Sequence, residues 1–141
     1  MTSLLISLFF ASAASGASSF PDSAVLALIK DYGTGEPGMA TCLHIDDKDP
    51  PESLLKKLLG KTPFIVPGSV CKASHNKVVH APSGKPAANL WFSDFRLVGK
   101  SQATASVASY FGPQSGGKWS VNMRLVKGNW VIESSTNSII F

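Results

Sequence analysis

The spacing of hydrophobic positions changes part-way along the chain. Val25, Leu28, Ile29 and Tyr32 recur at helical offsets, which puts one apolar stripe on one face of a helix. Asp22 or Ser23 stands where an N-cap oxygen is wanted, and Gly33 where a C′ glycine ends a helix. A second helix is expected to open at Asp49-Pro50-Pro51-Glu52: a cap, a proline in the first turn and an acid near the positive end of the dipole. Leu54, Leu55, Leu58 and Leu59 supply its buried stripe, Glu52 and Lys56 an i,i+4 pair, and Gly60 its end. Between the helices, residues 34–39 read as a polar connector and residues 40–45 as a short extended piece.

Further on, the period becomes two. Phe64-Ile65-Val66-Pro67 and Val70-Cys71 read as broken extended structure, and residues 72–87 as a polar loop carrying His75 and His80. Leu90 and Phe92 begin a strand that ends near Gly99-Lys100. Residues 102–111 form a second, with Ala103, Ala105, Val107 and Phe111 against Thr104, Ser106 and Ala108. After a loop at 112–117, Trp119, Val121, Met123 and Leu125 alternate with Ser120, Asn122 and Arg124 in a third. Gly128-Asn129 suits the centre of a type II′ hairpin. That register sets Leu125 opposite Ile132 and Arg124 opposite Glu133, matching apolar with apolar and opposed charges. A Lys127-Gly128 turn keeps the same faces but loses the direct charge pair, so the first register is expected. The expected fold class is α+β: two short N-terminal helices packed on a curved antiparallel sheet of about four strands. Small Ala103, Ala105 and Ala108 leave the helices room to approach.

The first residues fit none of these elements. Leu4-Leu5-Ile6-Ser7-Leu8-Phe9-Phe10 is followed by Ala11-Ser12-Ala13-Ala14-Ser15-Gly16-Ala17, an apolar core and then the small residues that signal peptidase requires. Residues 1–17 are therefore expected to be a cleaved signal peptide, cut after Gly16 or Ala17 with Ala13 as an earlier option, and 18–141 a single α+β domain. No Lys or Arg precedes Lys30, so the positive n-region rests on the amino terminus. The apolar run is shorter than the ~20 residues of a spanning helix, and Cys42, the first cysteine, is far from the cleavage point. No stable membrane anchor or lipid anchor is expected; the location is secreted or periplasmic.

The 141 residues are 44% apolar and 16% charged, which argues against global disorder. The net charge of +4 is dispersed, with one adjacent basic pair, Lys56-Lys57, and two arginines. A nucleic-acid surface would cluster them with aromatics, so no nucleic-acid partner is expected. Cys42 and Cys71 are the only cysteines. In an oxidising compartment such a pair is expected to form a disulfide, closing roughly 28 residues for about 3–4 kcal/mol. A redox or nucleophilic role lacks a CxxC spacing and an evident base.

Candidate chemistry is sparse. Gly33-Thr34-Gly35-Glu36-Pro37-Gly38 spells GxGxxG, but it follows a helix, and Pro37 removes one amide, so a connector is expected rather than a dinucleotide site. His44, Asp46, Asp47 and Asp49 lack the EF-hand order and read as a solvated turn. His75 and His80, five apart, do not supply three zinc ligands, even if His44 joins them in space. No metal and no cofactor is expected. The serines show no GxSxG. Glu52, Asp94 (in the first meander strand or at a bulge) and Glu133 are the only carboxylates after Asp49, and they form no evident catalytic pair. No catalytic residue is assigned. Trp119 and Trp130 fit the core, whereas Trp91 is out of phase with Leu90 and Phe92. His44, His75, His80 and Trp91 are the candidate ligand contacts.

Residues 110–119, Tyr110-Phe111-Gly112-Pro113-Gln114-Ser115-Gly116-Gly117-Lys118-Trp119, lead on to Gly128-Asn129-Trp130-Val131. This closing segment resembles the tail of small exported bacterial proteins of unknown function. More loosely, it resembles the last strands of the NTF2-like (cystatin-like) superfamily. The resemblance implies a strand ending at an aromatic–Gly–Pro loop, then a hairpin whose return strand carries Gly-x-Trp-x-Val. Enzymes of that superfamily use His–Asp or Asp–Tyr pairs in a cone-shaped pocket, and no such pair maps onto these residues.

The expected function is a non-catalytic binding or accessory module for a protein or small-molecule ligand, with the concave side of the meander and residues 72–87 as contact surfaces. The alternatives are an NTF2-like small-molecule enzyme with a pocket between helices and sheet, and a secreted inhibitor of a hydrolase approached through the mild positive charge.

Overall fold

Alternation in the second half builds four long antiparallel strands, β5 (Lys85–Leu97), β6 (Gln102–Gly112), β7 (Ser115–Val126) and β8 (Asn129–Ile140). The computed structural model describes residues 20–33, 38–58, 64–112 and 115–140. The expected signal peptide (1–17), residues 34–37 of the GxGxxG match, and Leu59 and Gly60 lie outside them. The fold class is α+β, with helices α1 (Asp22–Tyr32) and α2 (Glu52–Leu58). Among the described residues, no helix is long and apolar enough to cross a membrane.

The sheet is mixed and eight-stranded, not four antiparallel strands. Strand β1 (Ala40–Ile45) runs parallel to β5, pairing Leu43 with Leu90, and β2 (Ile65–Pro67) runs parallel to β1, giving the order β2-β1-β5-β6-β7-β8. The short extended piece of the sequence reading is thus an interior strand. Ala40, Cys42, Leu43 and Ile45 are buried, some on each face of the sheet, as a parallel strand covered on both sides requires.

The expected loop at 72–87 is also corrected. It contains a hairpin of β3 (Cys71–Ser74) and β4 (Lys77–His80), turning at His75-Asn76, both left-handed (φ 50° and 64°). Polar residues cover this hairpin because only Val78 is buried, so the sequence carries too little apolar alternation to mark strands there. β4 joins the start of β5 through Val79–Pro86 and His80–Lys85. The Cys42–Cys71 disulfide ties the base of the hairpin to β1.

Three local expectations change for stated reasons. The last turn is Lys127-Gly128, with φ of 51° and 83°, the type I′ pattern. It pairs Leu125 with Trp130, not Ile132. Trp130 is thereby buried edge-on to Phe95, with ring centroids 5.3 Å apart. Burying an indole outweighs an exposed ion pair worth about 0–1 kcal/mol. An extra residue in β8 between the pairs at Asn122 and Met123 still brings Glu133 within 3.6 Å of Arg124.

Neither expected N-cap is one. Pro21 supplies the first carbonyl of α1, while Ser23 Oγ accepts the Trp130 N–H at 3.0 Å and Asp22 reaches Lys57 at 2.6 Å. Likewise the Asp49 carboxylate accepts the Ser69 N–H and hydroxyl, and α2 starts from the Pro51 carbonyl. Tertiary partners claim these short side chains before the local helix ends do. Gly33 does end α1, but in extended conformation; a Cβ there would sit 2.7 Å from the Ile29 carbonyl oxygen.

Helix stripes Val25, Leu28, Ile29 and Leu54, Leu58 pack on the sheet face formed by Leu43, Leu90, Phe92, Val107, Val121 and Met123. Ala103 and Ala105 share that face. Ala108 does not; it points to the opposite side, across from Trp91. That side carries a second, smaller cluster at one end, around Ala40, Cys42, Val66, Val78 and Ala87.

Candidate functional site

The sheet face opposite α1 and α2 positions the site by register alone. Because alternate residues of a strand share a face, the paired residues His44, Trp91, Ala108 and Lys118 of β1, β5, β6 and β7 form one row on that face. Ser93, Ser106, Ser120 and Thr136 form the next row. Beyond Ser93, β5 carries an extra residue, with Asp94 left-handed at φ 57°. This is the bulge the sequence allowed for; it bends the strand and swings Asp94 to the end of the second row.

Within the first row, His44 and Trp91 stack, their ring centroids 5.1 Å apart and planes 17° from parallel. His44 Nε2–H donates to Asn89 Oδ1 at 2.9 Å. The other side of the imidazole meets Gly68, in the 3-10 turn Gly68–Val70; a Cβ there would lie 2.1–2.5 Å from Cε1, Nδ1 and Nε2. His44 is thus wedged between an indole and a backbone, with its ring orientation set by Asn89.

Trp91 has His44 against one face. Its partner on β6, on the other side, is Ala108, whose methyl is too small to cover an indole. A groove of about 430 Å³ opens there, lined by Trp91, Ser93, Ala108, Tyr110, Lys118 and Asp47. It continues into a smaller space of about 210 Å³ over Ser106, Ser120, Asp94 and Ser138. The first volume lies in the range of small-ligand pockets, about 300–1,000 Å³.

Of the candidate contacts, the fold brings together His44 and Trp91. His75 is at the exposed tip of the β3–β4 hairpin. His80, on β4, is bonded to Ser83 Oγ through Nδ1 at 2.6 Å and sits edge-on to Phe64. Among the described residues, no three His, Cys, Asp or Glu side chains group closely enough to hold a metal ion. Trp119 packs on Tyr32 at 5.1 Å and joins Trp130 at the core. Sequence reasoning passed over Ala108, Gly68, Asn89 and Lys118. The phase of Ala108 opposite to Ala105 and Val107 was visible in the sequence; that it stands beside Trp91 follows only from the pairing of β5 with β6.

Between helices and sheet, the space holds Leu28, Ile29, Leu43, Leu90 and Phe92, all below 2% exposed. A small cavity of about 220 Å³ lies at the end of α1, beside Tyr32, Thr41 and Ser109.

Gly68→Ala is expected to cost about 1–3 kcal/mol by overpacking, with His44 displaced from Trp91. In a His44→Ala background the same change meets no ring, and its cost should fall by about 1 kcal/mol or more. Urea denaturation of the four chains measures this, and additive costs would show that His44 is not wedged.

No family model, curated protein or solved structure matches this chain.

Proposed function

We propose that this protein is an exported, non-catalytic binding module of NTF2-like (cystatin-like) layout, which holds its ligand in the groove over Ala108. The observation that carries this reading is the open side of Trp91: a half-buried indole with His44 stacked on one side and a methyl on the other, at the wall of the groove. A rigid aromatic wall with a few placed polar groups is the usual make-up of a ligand site. The apolar-then-small pattern of residues 4–17 and the disulfide support a secreted or periplasmic location. The long antiparallel meander with α1 across it supports the NTF2-like layout. Enzymes of that superfamily need an acid–base pair between helices and sheet, a layer whose centre is packed here with apolar side chains.

Ala108→Phe tests the site. The new ring would fill the groove without entering the core, because Ala108 faces away from the helices. In a fragment screen by NMR, compounds that move the Trp91 indole signal in the native chain should lose that effect in Ala108→Phe, while the unfolding midpoint stays nearly constant. Turnover of a screened compound, or a groove that no fragment enters, overturns the proposal. Mass spectrometry of material exported by a bacterial host should find the cut after Gly16 or Ala17 and joined sulfurs.

A second reading, an inhibitor of an acidic hydrolase, is favoured by the β3–β4 hairpin. No Asp or Glu lies between Glu52 and Asp94, and Lys72, Lys77 and Lys85 are exposed around the hairpin. Association with such a partner should slow steeply with salt; salt-insensitive association counts against it.

A further inference from the structure

We propose that the ligand of the Trp91 groove is a neutral carbohydrate, a short pyranose chain with one ring stacked on the indole and its neighbours laid over the serine row. This rests on the reading of the groove as a binding site and adds the chemical class.

Three features of the lining select that class. The first is the open side of the indole. The face of an aromatic ring carries negative charge density, which suits the polarised C–H bonds on the flat side of a pyranose.

The second is the row beside it. Ser93, Ser106 and Ser120 stand on three successive strands, directly paired in register, and line the adjoining space. Their hydroxyls take no protein partner among the described residues, and each both donates and accepts. An unbranched alkyl chain would leave every one of them unanswered, whereas sugar hydroxyls match them one for one.

The third is charge. Asp47 lines the first space, Asp94 the adjoining one, and Lys118 both. A polyanion would meet a carboxylate in each space, Asp47 in the first and Asp94, 3.8 Å from Arg96, in the second. A neutral polyol can accept from Lys118 and donate to either aspartate, so the arrangement discriminates by sign as well as by shape. Strand neighbours lie about 4.8 Å apart, so the row offers hydroxyls at regular intervals, suited to a repeating ligand.

Titration of the labelled protein followed by NMR tests the assignment. The neutral probes are maltotetraose, cellotetraose and chitotetraose (N-acetylated), with tetragalacturonate as the acidic counterpart and decanoate as the alkyl one. At least one neutral tetrasaccharide should shift the Trp91 indole and the Ser93, Ser106 and Ser120 amides saturably. Trp91→Ala and Ala108→Phe should each weaken that binding about ten-fold or more, and Ser106→Ala about three-fold or more. Ser106→Ala removes one oxygen from a half-exposed position, so it keeps the test valid should Trp91→Ala unfold the chain. If tetragalacturonate, decanoate or screening fragments enter the groove and no neutral tetrasaccharide does, the carbohydrate assignment falls and the binding-module reading stands. If nothing enters, both fall.

Discussion

Phe92→Ala is expected to lower the free energy of unfolding by about 3–5 kcal/mol, the range for deleting a buried phenyl ring. Phe92 is fully buried at the centre of the helix-facing side of β5. It lies 6.1 Å from the Phe20 ring, which continues through Phe95 to Trp130. The cavity left behind would be lined by α1 and three strands that are anchored elsewhere, so little collapse is available to it. Trp91, its immediate neighbour, points to the opposite face and stays half-exposed. Trp91→Ala should cost only about 1–2 kcal/mol, the stacking on His44 and part of the burial, although the side chain removed is larger. Urea denaturation of the two variants measures the contrast. Equal costs would mean that the two faces of β5 have been assigned wrongly.

Loss of the disulfide is the other large effect. Cys42 and Cys71 are 29 residues apart, and opening a loop of that length is expected to cost about 3–4 kcal/mol through the entropy of the unfolded chain. For a chain of this size the melting temperature should fall by on the order of 10 °C or more. The loss should not be uniform. The β3–β4 hairpin meets the rest of the sheet through two backbone pairs at the start of β5 and a small apolar cluster, and the disulfide is its covalent tether. In Cys42→Ala/Cys71→Ala, amides of the hairpin should exchange much faster, while those of β6 and β7, inside the sheet, keep most of their protection. Cys42 is fully buried but Cys71 only half-buried, so a reductant should approach the bond from the Cys71 side. An unchanged melting point on reduction, or two thiols titrating in the native chain, would rule the tether out.

Phe92→Ala and Trp91→Ala bear on the division of the sheet between a core face under the helices and an open face that carries the candidate site. That division was legible in the sequence for the meander. Leu90 and Phe92 against Trp91, and Val121 and Met123 against Ser120 and Asn122, alternate with the pleat, and alternation is local information. The two helical stripes and the cysteine pair were legible for the same reason: each depends on spacing within one segment or on the chemistry of one residue type.

Other features depended on partners distant along the chain. β1 reads as extended, but nothing within six residues says that it will lie parallel to β5 and be covered on both faces. Asp49 and Ser23 have the chemistry of helix caps, yet a turn at Ser69 and the Trp130 amide, far along the chain, claim their oxygens. In the final hairpin the local pattern offers an exposed charge pair, while burial of Trp130 against Phe95 sets the register. The groove belongs to this second group. The phase of Trp91 in β5 already marks it as an outward-facing aromatic, since side-chain direction along a strand is fixed by the backbone. That its open side lies over Ala108, with His44 wedged behind it by Gly68, comes from strand pairing, which brings together residues of four separate segments that no local pattern connects.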